Sequence, residues 1–341
     1  MTIHDVAARA GVAASTVSRA LNNPGRVNAA TRERVQRIAA ELNYVPSTQA
    51  RALSSGRTRN VAMIVPDITN PYFFGLVRGA QRQLTAAGYT QVLLDTEESP
   101  EQEAHALSQL RKTCDGVILT GPRMTDEQIV IASRAQPLVT INRNAAGVPS
   151  VLINTPNAIG QAVDHLISFG HQRICYVSGP PNSFTNRWRW QALEETVRAR
   201  RDDGRPNLSA VQIGNFSPGL KAGAAAADAV LNTGATACVT FNDMLAIGML
   251  HRFADRGIAV PGDISVIGCD DIFGSDFCNP PLTTMTAPIE RAGRAAVTML
   301  LGLLDPTSAE VDRPRVLLPT HLTVRASSGP ANTNPSTEGH S

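Results

Sequence analysis

Residues 2–22 read TIHDVAARAGVAASTVSRALN, a stretch in which a glycine separates two short amphipathic patterns. Thr2 followed by Asp5 is a variant of the capping box, and it predicts a helix over about residues 3–10. Gly11 ends that helix, and a second helix begins within three residues of it. Two short helices joined by a tight turn that contains glycine have the spacing of a helix–turn–helix unit.

A third helix follows. The segment NNPG at residues 22–25 breaks the second helix, and Asn28 is a residue type that favours a helix start. Apolar residues then recur at helical spacing, at Val35, Ile38, Ala39 and Leu42. Three short helices in this space predict a small all-α domain.

The second helix has two faces of different composition. Its apolar positions are Val12, Val17, Ala20 and Leu21. The opposite face carries Ala14, Ser15, Ser18 and Arg19. Taken alone, the pattern fits either an ordinary packed helix with a solvated face or a helix whose polar face reads DNA.

The formal net charge of +2 hides an asymmetry along the chain. Residues 1–59 contain nine arginines and three acidic residues, so this part carries +6 and the remainder carries −4. A basic head on a mildly acidic body favours a polyanion as the partner of the head alone.

The composition, 43% hydrophobic and 18% charged residues over 341 positions, is typical of a soluble protein with two or three domains. No apolar run approaches the roughly 18 residues that suggest a membrane helix, and no apolar export segment is present. We therefore expect a cytoplasmic protein without a membrane partner. The five cysteines form no CxxC pair, which favours buried free thiols in a reducing compartment.

The sequence carries no catalytic or metal-binding signature. The seven histidines are dispersed without metal-ligand spacing. No nucleophile elbow, Walker loop or HExxH motif is present. We therefore expect no catalysis, no metal and no cofactor.

From Val61 onward, short β-rich runs alternate with longer helical stretches. A first series comprises VAMIV (61–65), QVLLD (91–95), DGVILT (115–120) and PLVTI (137–141). A second series comprises RICYVSG (173–179), AVQI (210–213), ACVTF (237–241) and DISVIG (263–268). Such alternation predicts an α/β fold of parallel sheets with crossover helices, and two series predict two similar lobes facing each other across a cleft.

Eight stretches spread over nearly the whole chain carry a family resemblance. They are TIHDVAARAGVAASTVSRALN, TRERVQRIAAELNYVPS, ARALSSGRT, DITNPYFFGLVRGAQ, FGHQRICYVSGP, FNDMLAIGML, PGDISVIGCDD and PPLTTM. In order and spacing they are similar to the lactose-repressor (LacI) family of bacterial transcription regulators. The resemblance implies an N-terminal helix–turn–helix head, a hinge helix and a two-lobed core similar to periplasmic sugar-binding proteins.

With this resemblance the chain divides into four parts. The DNA-binding head occupies residues 1–46, the hinge helix and linker residues 47–59, and the core residues 60–326. Within the core, the N-lobe takes about residues 60–157 and 288–317, and the C-lobe about residues 158–287 and 318–326. The tail at residues 327–341 lacks apolar content, and we expect it to be disordered.

The resemblance places the outward face of the second helix in the major groove. Arg19 is the strongest candidate for reading sequence, because a guanidinium can bond guanine O6 and N7 together. Ala14 and Ser15 are short, and Ala13 stands where a capping serine is usual in the family. Specificity should therefore depend on Arg19 and on DNA shape.

Further DNA contacts are implied outside this helix. The implied phosphate contacts are Thr2, Asn22, Arg26 and Thr31, for which turn or cap roles are the alternative. In the hinge, Leu53 is implied to wedge into the minor groove and kink the duplex. Ala50 would let two hinge helices of a dimer approach closely, and Arg51 would lie at the DNA backbone.

The effector site is implied to lie between the lobes, where the carboxyl ends of strands face one another. Its implied ligand contacts are Asn70, Tyr72, Phe73, Asn142, Ser183, Thr185, Arg189, Phe216, Asn242 and Asp270. Asn142 stands where relatives carry an acid, so it keeps hydroxyl bonding and removes a charge. We expect Phe74 in the core, and Asp243 and Asp271 in capping or in bonds between the lobes.

The predicted function is a repressor that binds a palindromic operator on double-stranded DNA as a homodimer, under the control of a small molecule. A sugar or sugar derivative is the family's commonest effector, and a non-sugar metabolite is the alternative. A sugar-binding transport protein and a sugar-converting enzyme are two other classes that the core alone would suit. The basic head and the lack of an export segment argue against transport.

Overall fold

The computed structural model describes residues 1–22, 24–44, 56–305 and 314–332. The chain divides into two units, Met1–Arg59 and Asn60–Ser341. Ala50, Arg51 and Leu53, for which hinge and DNA contacts are predicted, lie outside the described residues.

Within residues 1–22 and 24–44, the first unit contains three α-helices, α1 (Ile3–Ala10), α2 (Ala14–Asn22) and α3 (Ala29–Glu41). The predicted capping box is present, because the Thr2 hydroxyl accepts from the Asp5 amide and the Asp5 carboxylate accepts from the Thr2 amide at 2.7 Å. Gly11 ends α1 in the left-handed region at φ +63°, where glycine avoids a steric cost. The three predicted helices are confirmed.

Small apolar side chains hold this unit together. Val6, Val17, Ala20 and Val35 are fully buried, and they come from all three helices. Since these side chains are short, the helices pack closely, and the polar side chains are left on the outside.

The second unit contains two six-stranded sheets. The first has strands β1 (Asn60–Val65), β2 (Thr90–Asp95), β3 (Gly116–Thr120), β4 (Leu138–Ile141), β5 (Ser150–Ile153) and β11 (Arg315–Leu318) in the order β11-β5-β4-β3-β1-β2. The second has β6 (Arg173–Val177), β7 (Ser209–Ile213), β8 (Ala237–Thr240), β9 (Ser265–Cys269), β10 (Thr283–Thr286) and β12 (His321–Thr323) in the order β12-β10-β9-β8-β6-β7. All neighbouring strands are parallel except β10 and β12. The predicted fold class is confirmed.

Helices cover both sheets. They are α4 (Tyr72–Ala86), α5 (Pro100–Leu110), α6 (Asp126–Ala135), α7 (Thr155–Ser168), α8 (Phe184–Asp202), α9 (Gly223–Leu231), α10 (Asp243–Asp255) and α11 (Ile289–Leu304). Successive residues of β1 point to opposite faces of the first sheet, and each face is covered by helices. Met63 packs with α4 and α11, whereas Ile64 packs with α5 and α6. Glycine at position 79 lets α4 approach α11, because a Cβ there would collide with the Glu290 carbonyl oxygen.

The first sheet with its helices is the N-lobe, and the second is the C-lobe. The chain crosses between them after β5, after β10 and between β11 and β12. Two crossings are bonded to each other, because the Asn154 amide donates to the Leu318 carbonyl at 2.9 Å and the Thr320 hydroxyl donates to the Asn154 carbonyl at 2.6 Å. The three crossings are therefore the segments about which the lobes can move.

The expected disorder of the tail is wrong for residues 327–332, here called the strap. Ser327 is fully buried, accepts from the Thr283 amide at 2.8 Å and donates to the Val266 carbonyl at 2.6 Å. The Gly329 carbonyl lies 3.0 Å from Nε2 of the buried His171. Burial lowers the pKa of His171, so the ring stays neutral with its proton on Nε2. Hydrogen bonds anchor the strap, and the number of apolar residues in the tail gives no sign of such bonds.

A chain that ends at Ala326 should unfold at lower urea concentration than one that ends at Asn332. The longer chain keeps every strap contact described above, whereas the shorter one removes the Ser327 hydroxyl from the Thr283 amide and the Gly329 carbonyl from His171. We expect the free energies of unfolding to differ by at least about 2 kcal/mol. Equal unfolding midpoints for the two chains would contradict this account of the strap.

Candidate functional site

The polar face of α2 is the candidate DNA-reading surface of the first unit. Val17 and Ala20 are fully buried, whereas Ser15 and Arg19 are exposed and Ala14 is half-buried. The predicted inward face is therefore confirmed, and Ser15 and Arg19 lie on the outside as predicted, whereas Ala14 packs against the core of this unit. Arg19 projects from the last turn of α2, where a long cationic side chain can reach a base edge.

The predicted phosphate contacts differ in exposure and in hydrogen bonding. Arg26 is exposed, as are Arg34 and Arg37 on α3. Thr2 caps α1, and the amide of Thr31 is bonded to the Asn28 side chain at 2.8 Å. Thr2 therefore has the cap role that was the alternative, whereas Thr31 supplies only the backbone amide that Asn28 caps. Nothing is described of the Asn22 side chain.

The candidate effector site is a cleft between the lobes, at the carboxyl ends of the parallel strands. In the N-lobe, Pro66, Glu98 and Asn142 follow β1, β2 and β4. In the C-lobe, Asn242 and Asp270 follow β8 and β9. Because all these strands run in the same direction within their sheet, their ends place polar side chains at a single edge.

Eight of the ten predicted ligand contacts line this cleft: Asn70, Tyr72, Phe73, Asn142, Thr185, Arg189, Asn242 and Asp270. Ser183 does not line it, and caps α8 by accepting from the Asn186 amide. Phe216 also lies outside and packs against Gly214 and the C-lobe core. Phe241 is the aromatic residue of the C-lobe wall.

A buried ion pair lies in the C-lobe wall of the cleft. Arg189 Nη2 lies 3.3 Å from the Asp270 carboxylate, and both side chains are at most 9% exposed. Arg189 Nη1 donates to the Phe241 carbonyl, and the guanidinium lies over the Phe241 ring, 5.2 Å from its centroid. The buried Nε of Arg189 has no hydrogen-bond partner. An unsatisfied donor and a shared carboxylate are suited to chelating neighbouring hydroxyl groups.

The Asp270 carboxyl has an altered acidity. Burial raises the pKa of Asp270 to about 7, although the Arg189 charge opposes that rise. Asp270 also has a φ of +120°, a conformation that is strained for a residue with a Cβ. The backbone is therefore held in an unusual shape at the residue that presents the acid to the cleft.

Tyr72 and Asn142 form the facing part of the N-lobe wall. The Asn142 amide donates to the Tyr72 hydroxyl oxygen at 2.8 Å and accepts from the Ile153 amide at 3.1 Å. Burial raises the pKa of Tyr72, so its hydroxyl stays neutral and remains a donor. The cleft has a volume of about 50 Å³. Since ligand pockets typically hold at least about 300 Å³, a ligand of that size fits this cleft only if the lobes part.

Sequence reasoning missed a second charged pair in the N-lobe wall. Arg123 Nε lies 2.5 Å from the Glu98 carboxylate, and Arg123 Nη1 donates to the Gly121 carbonyl at 2.6 Å. The buried Glu103 carboxylate accepts from the Arg123 and Met124 amides at 2.9–3.0 Å. Glu98 follows a strand, and that was a usable signal; Arg123 lies in a loop with no motif to mark it.

Two expectations about neighbouring residues need correction. Phe74 is 52% exposed and not in the core, because it faces outward from the first turn of α4. Asp243 makes its bonds within the C-lobe, to the Thr284 and Ser275 hydroxyls at 2.5 and 2.8 Å. Asp271 likewise bonds within that lobe, to Arg325 at 2.7 Å.

Comparison with known proteins identifies this architecture. Residues 2–47 match the model for bacterial regulatory proteins of the lacI family, and residues 163–328 match a periplasmic binding protein-like domain. The HTH-type transcriptional regulator DegA of Bacillus subtilis is 32% identical over 97% of this chain and 99% of its own. The chain belongs to the lacI family of bacterial regulatory proteins.

Other lacI-family members agree with this assignment. The transcriptional repressor CytR of Escherichia coli K12 is 34% identical over 88% of this chain and 89% of its own. The lac repressor dimer bound to operator and an anti-inducer has a TM-score of 0.84 and 25% identity, over 96% of this chain and 99% of that one. This lacI-family protein is therefore a DNA-binding transcription regulator with a periplasmic-binding-protein-like core.

Membrane-spanning helices and clusters of metal-ligand side chains are both absent from the described residues. Within residues 1–22, 24–44, 56–305 and 314–332, no helix is long and apolar enough to cross a membrane. The same residues contain no cluster of three or more histidine, cysteine or acidic side chains that could hold a metal ion.

The raised pKa of Asp270 predicts a pH dependence for this lacI-family regulator. The native state holds the Asp270 proton up to about pH 7, whereas the unfolded chain releases it near pH 3.8. The unfolding free energy contributed by this group should therefore fall as pH rises through that window. The stability of the wild type relative to Asp270→Asn should be higher at pH 5 than at pH 8, by about 1–3 kcal/mol in urea titrations. A higher relative stability at pH 8 would show that Arg189 outweighs burial.

Proposed function

We propose that this lacI-family protein is a cytoplasmic repressor whose operator binding is controlled by a small hydroxyl-rich molecule in the interlobe cleft. The observation that carries the proposal is the Arg189–Asp270 pair, with its unsatisfied buried guanidinium nitrogen, between Phe241 and Asn242 at the ends of parallel strands. The Arg189 guanidinium can donate to one hydroxyl of a sugar, and the Asp270 carboxylate can accept from the next.

The head supplies the proposed operator contact. Arg19 would read a guanine in the major groove, with Ala14, Ser15 and Ser18 beside it, while Arg26 and other exposed arginines would position the head on phosphates. Because residues 1–59 carry nine arginines and three acids, phosphate attraction should be strong and salt-dependent. Thr2, Asn22, Thr31, Ala50, Arg51 and Leu53 remain proposed contacts.

A homodimer is the proposed assembly, since a palindromic operator presents two related half-sites. Two apolar surfaces of the core are available for a second copy. In the N-lobe, Ile68 and Phe74 are 44% and 52% exposed beside a shallow groove. In the C-lobe, Phe273 and Phe277 are 79% and 65% exposed, with ring centroids 5.1 Å apart. Exposed aromatic groups of this size favour burial against a partner.

Control would work through lobe closure. A ligand changes operator binding only if its affinity differs between the two conformations of the lobes. A sugar bonded to Arg189 and Asn142 at once would favour the closed arrangement of the two walls. The solved lacI-family regulator of Enterococcus faecium with bound ribose, at 25% identity and a TM-score of 0.70, supports a carbohydrate as the effector.

Arg19→Ala should remove sequence preference and leave weaker, salt-dependent binding. A lost bidentate guanine contact of roughly 1–3 kcal/mol corresponds to a fall of about 10- to 100-fold in the affinity ratio between operator and scrambled duplex. Fluorescence anisotropy on an operator selected from random duplexes measures that ratio. Arg34→Ala, which removes the same charge from α3, is the matched control and should keep the ratio. An unchanged ratio in Arg19→Ala would refute the assignment.

Asp270→Ala should abolish the effector response while operator binding persists. The substitution removes the acceptor of the C-lobe wall and leaves the head intact. Each member of a panel of neutral monosaccharides and nucleosides is added to the protein–operator complex, and release of the operator is measured. Asp255→Ala, an exposed acid at the end of α10, is the control and should respond as the wild type does. A full response in Asp270→Ala would place the effector elsewhere.

A further inference from the structure

Once Asp270 is ionised, above about pH 7, the protein itself neutralises the cations of the cleft. Among the described residues that line it, the charged ones are Glu98, Arg123, Arg189 and Asp270, two of each sign. Each arginine is bonded to one of the two acids, and each also donates to a backbone carbonyl oxygen. A bound phosphate would therefore meet two carboxylates and no unpaired cation.

The N-lobe pair is held rigidly by the backbone around it. Glu98 has a φ of +62° and follows Glu97 at +48°, so two successive side-chain-bearing residues occupy the left-handed region. The Glu98 amide donates to the Pro66 carbonyl at 2.7 Å, which ties this turn to the end of β1. On the other side, Glu103 fixes the Arg123 backbone through its buried carboxylate. Arg123 is therefore not free to leave Glu98 for another anion at low cost.

Helix N-termini are the other common site for phosphates, and those at the cleft are occupied by side chains. Asn70 accepts from the Tyr72 amide at the start of α4, at 3.0 Å. Ser183 accepts from the first turn of α8 at 3.3 Å, and Asn242 from the first turn of α10 at 3.0 Å. The backbone donors that would hold a phosphate are thus partly satisfied at all three helices.

We infer that the cleft selects an uncharged, hydroxyl-rich effector and rejects the phosphorylated form of the same molecule. The inference rests on the proposed function, since it takes the cleft as the effector site. Glu98 and Asp270 can each accept from a hydroxyl, and the two guanidinium groups can donate to the neighbouring oxygen. A dianionic phosphate offers no proton to either carboxylate and repels both.

The direct test compares neutral and phosphorylated members of matched pairs. The pairs are D-ribose with D-ribose 5-phosphate, D-glucose with D-glucose 6-phosphate, and cytidine with cytidine 5′-monophosphate. Calorimetry on the full chain at pH 8, where Asp270 and the phosphate are both ionised, gives the affinities. In a pair whose neutral member binds, the phosphorylated member should bind at least about 100-fold more weakly. Equal or tighter binding of a phosphorylated member overturns the inference.

Glu98→Gln tests the part played by the N-lobe pair. It removes one negative charge and releases Arg123 for another anion, so discrimination against the phosphorylated member should fall about tenfold or more. Glu97→Gln makes the same change at an exposed neighbour outside the cleft lining and should leave discrimination as in the wild type. Undiminished discrimination in Glu98→Gln would overturn the role of the pair. The wild-type comparison stands even if the variant is unstable.

Operator release separates this inference from the proposed function. If the phosphorylated member releases operator at the lower concentration, the proposed effector site stands and the inference is overturned. If neither member of any pair binds, the proposed carbohydrate effector is refuted, and the inference falls with it.

Discussion

The buried contact between Arg189 and Asp270 is the interaction on which the cleft depends. It joins α8 to the end of β9 in a place where both charges are almost fully removed from water. A buried ion pair of this kind seldom stabilises a fold more than apolar side chains of the same volume. The unsatisfied Nε of Arg189 and the strained backbone at Asp270 both lower the free energy of unfolding. Under the proposed function, a ligand would complete this bonding and offset that loss of stability.

The same contact lies close to the crossings between the lobes. Asp271, the next residue after Asp270, accepts from the Thr286 hydroxyl at 2.9 Å, just before the chain enters α11. Thr286 in turn lies 2.5 Å from the Thr323 hydroxyl, at the end of β12. In the proposed mechanism, a ligand that moves Asp270 would act on the crossing after β10 through the bond between Asp271 and Thr286.

Sequence patterns predicted the head and eight of the twelve described strands, because capping residues, glycine and apolar periodicity act locally. They missed β5, β10, β11 and β12, which are only three or four residues long; β10 is rich in threonine, and β11 and β12 lie at sheet edges. Most of the residues that line the cleft were predicted from the family resemblance. Phe241 could not be distinguished from Phe216, because the choice depends on which ring faces the cleft and which faces Gly214. The strap was missed because its order comes from polar bonds to residues far away in sequence.

The central claim is that this lacI-family protein recognises a specific two-fold operator and releases or binds it in response to the cleft. Sequencing of the genomic DNA fragments that the purified chain retains tests the claim most directly. The account predicts enrichment of one palindromic motif, with two half-sites related by two-fold symmetry, at a small number of positions. Uniform retention of fragments across the genome, with no shared motif, would contradict it.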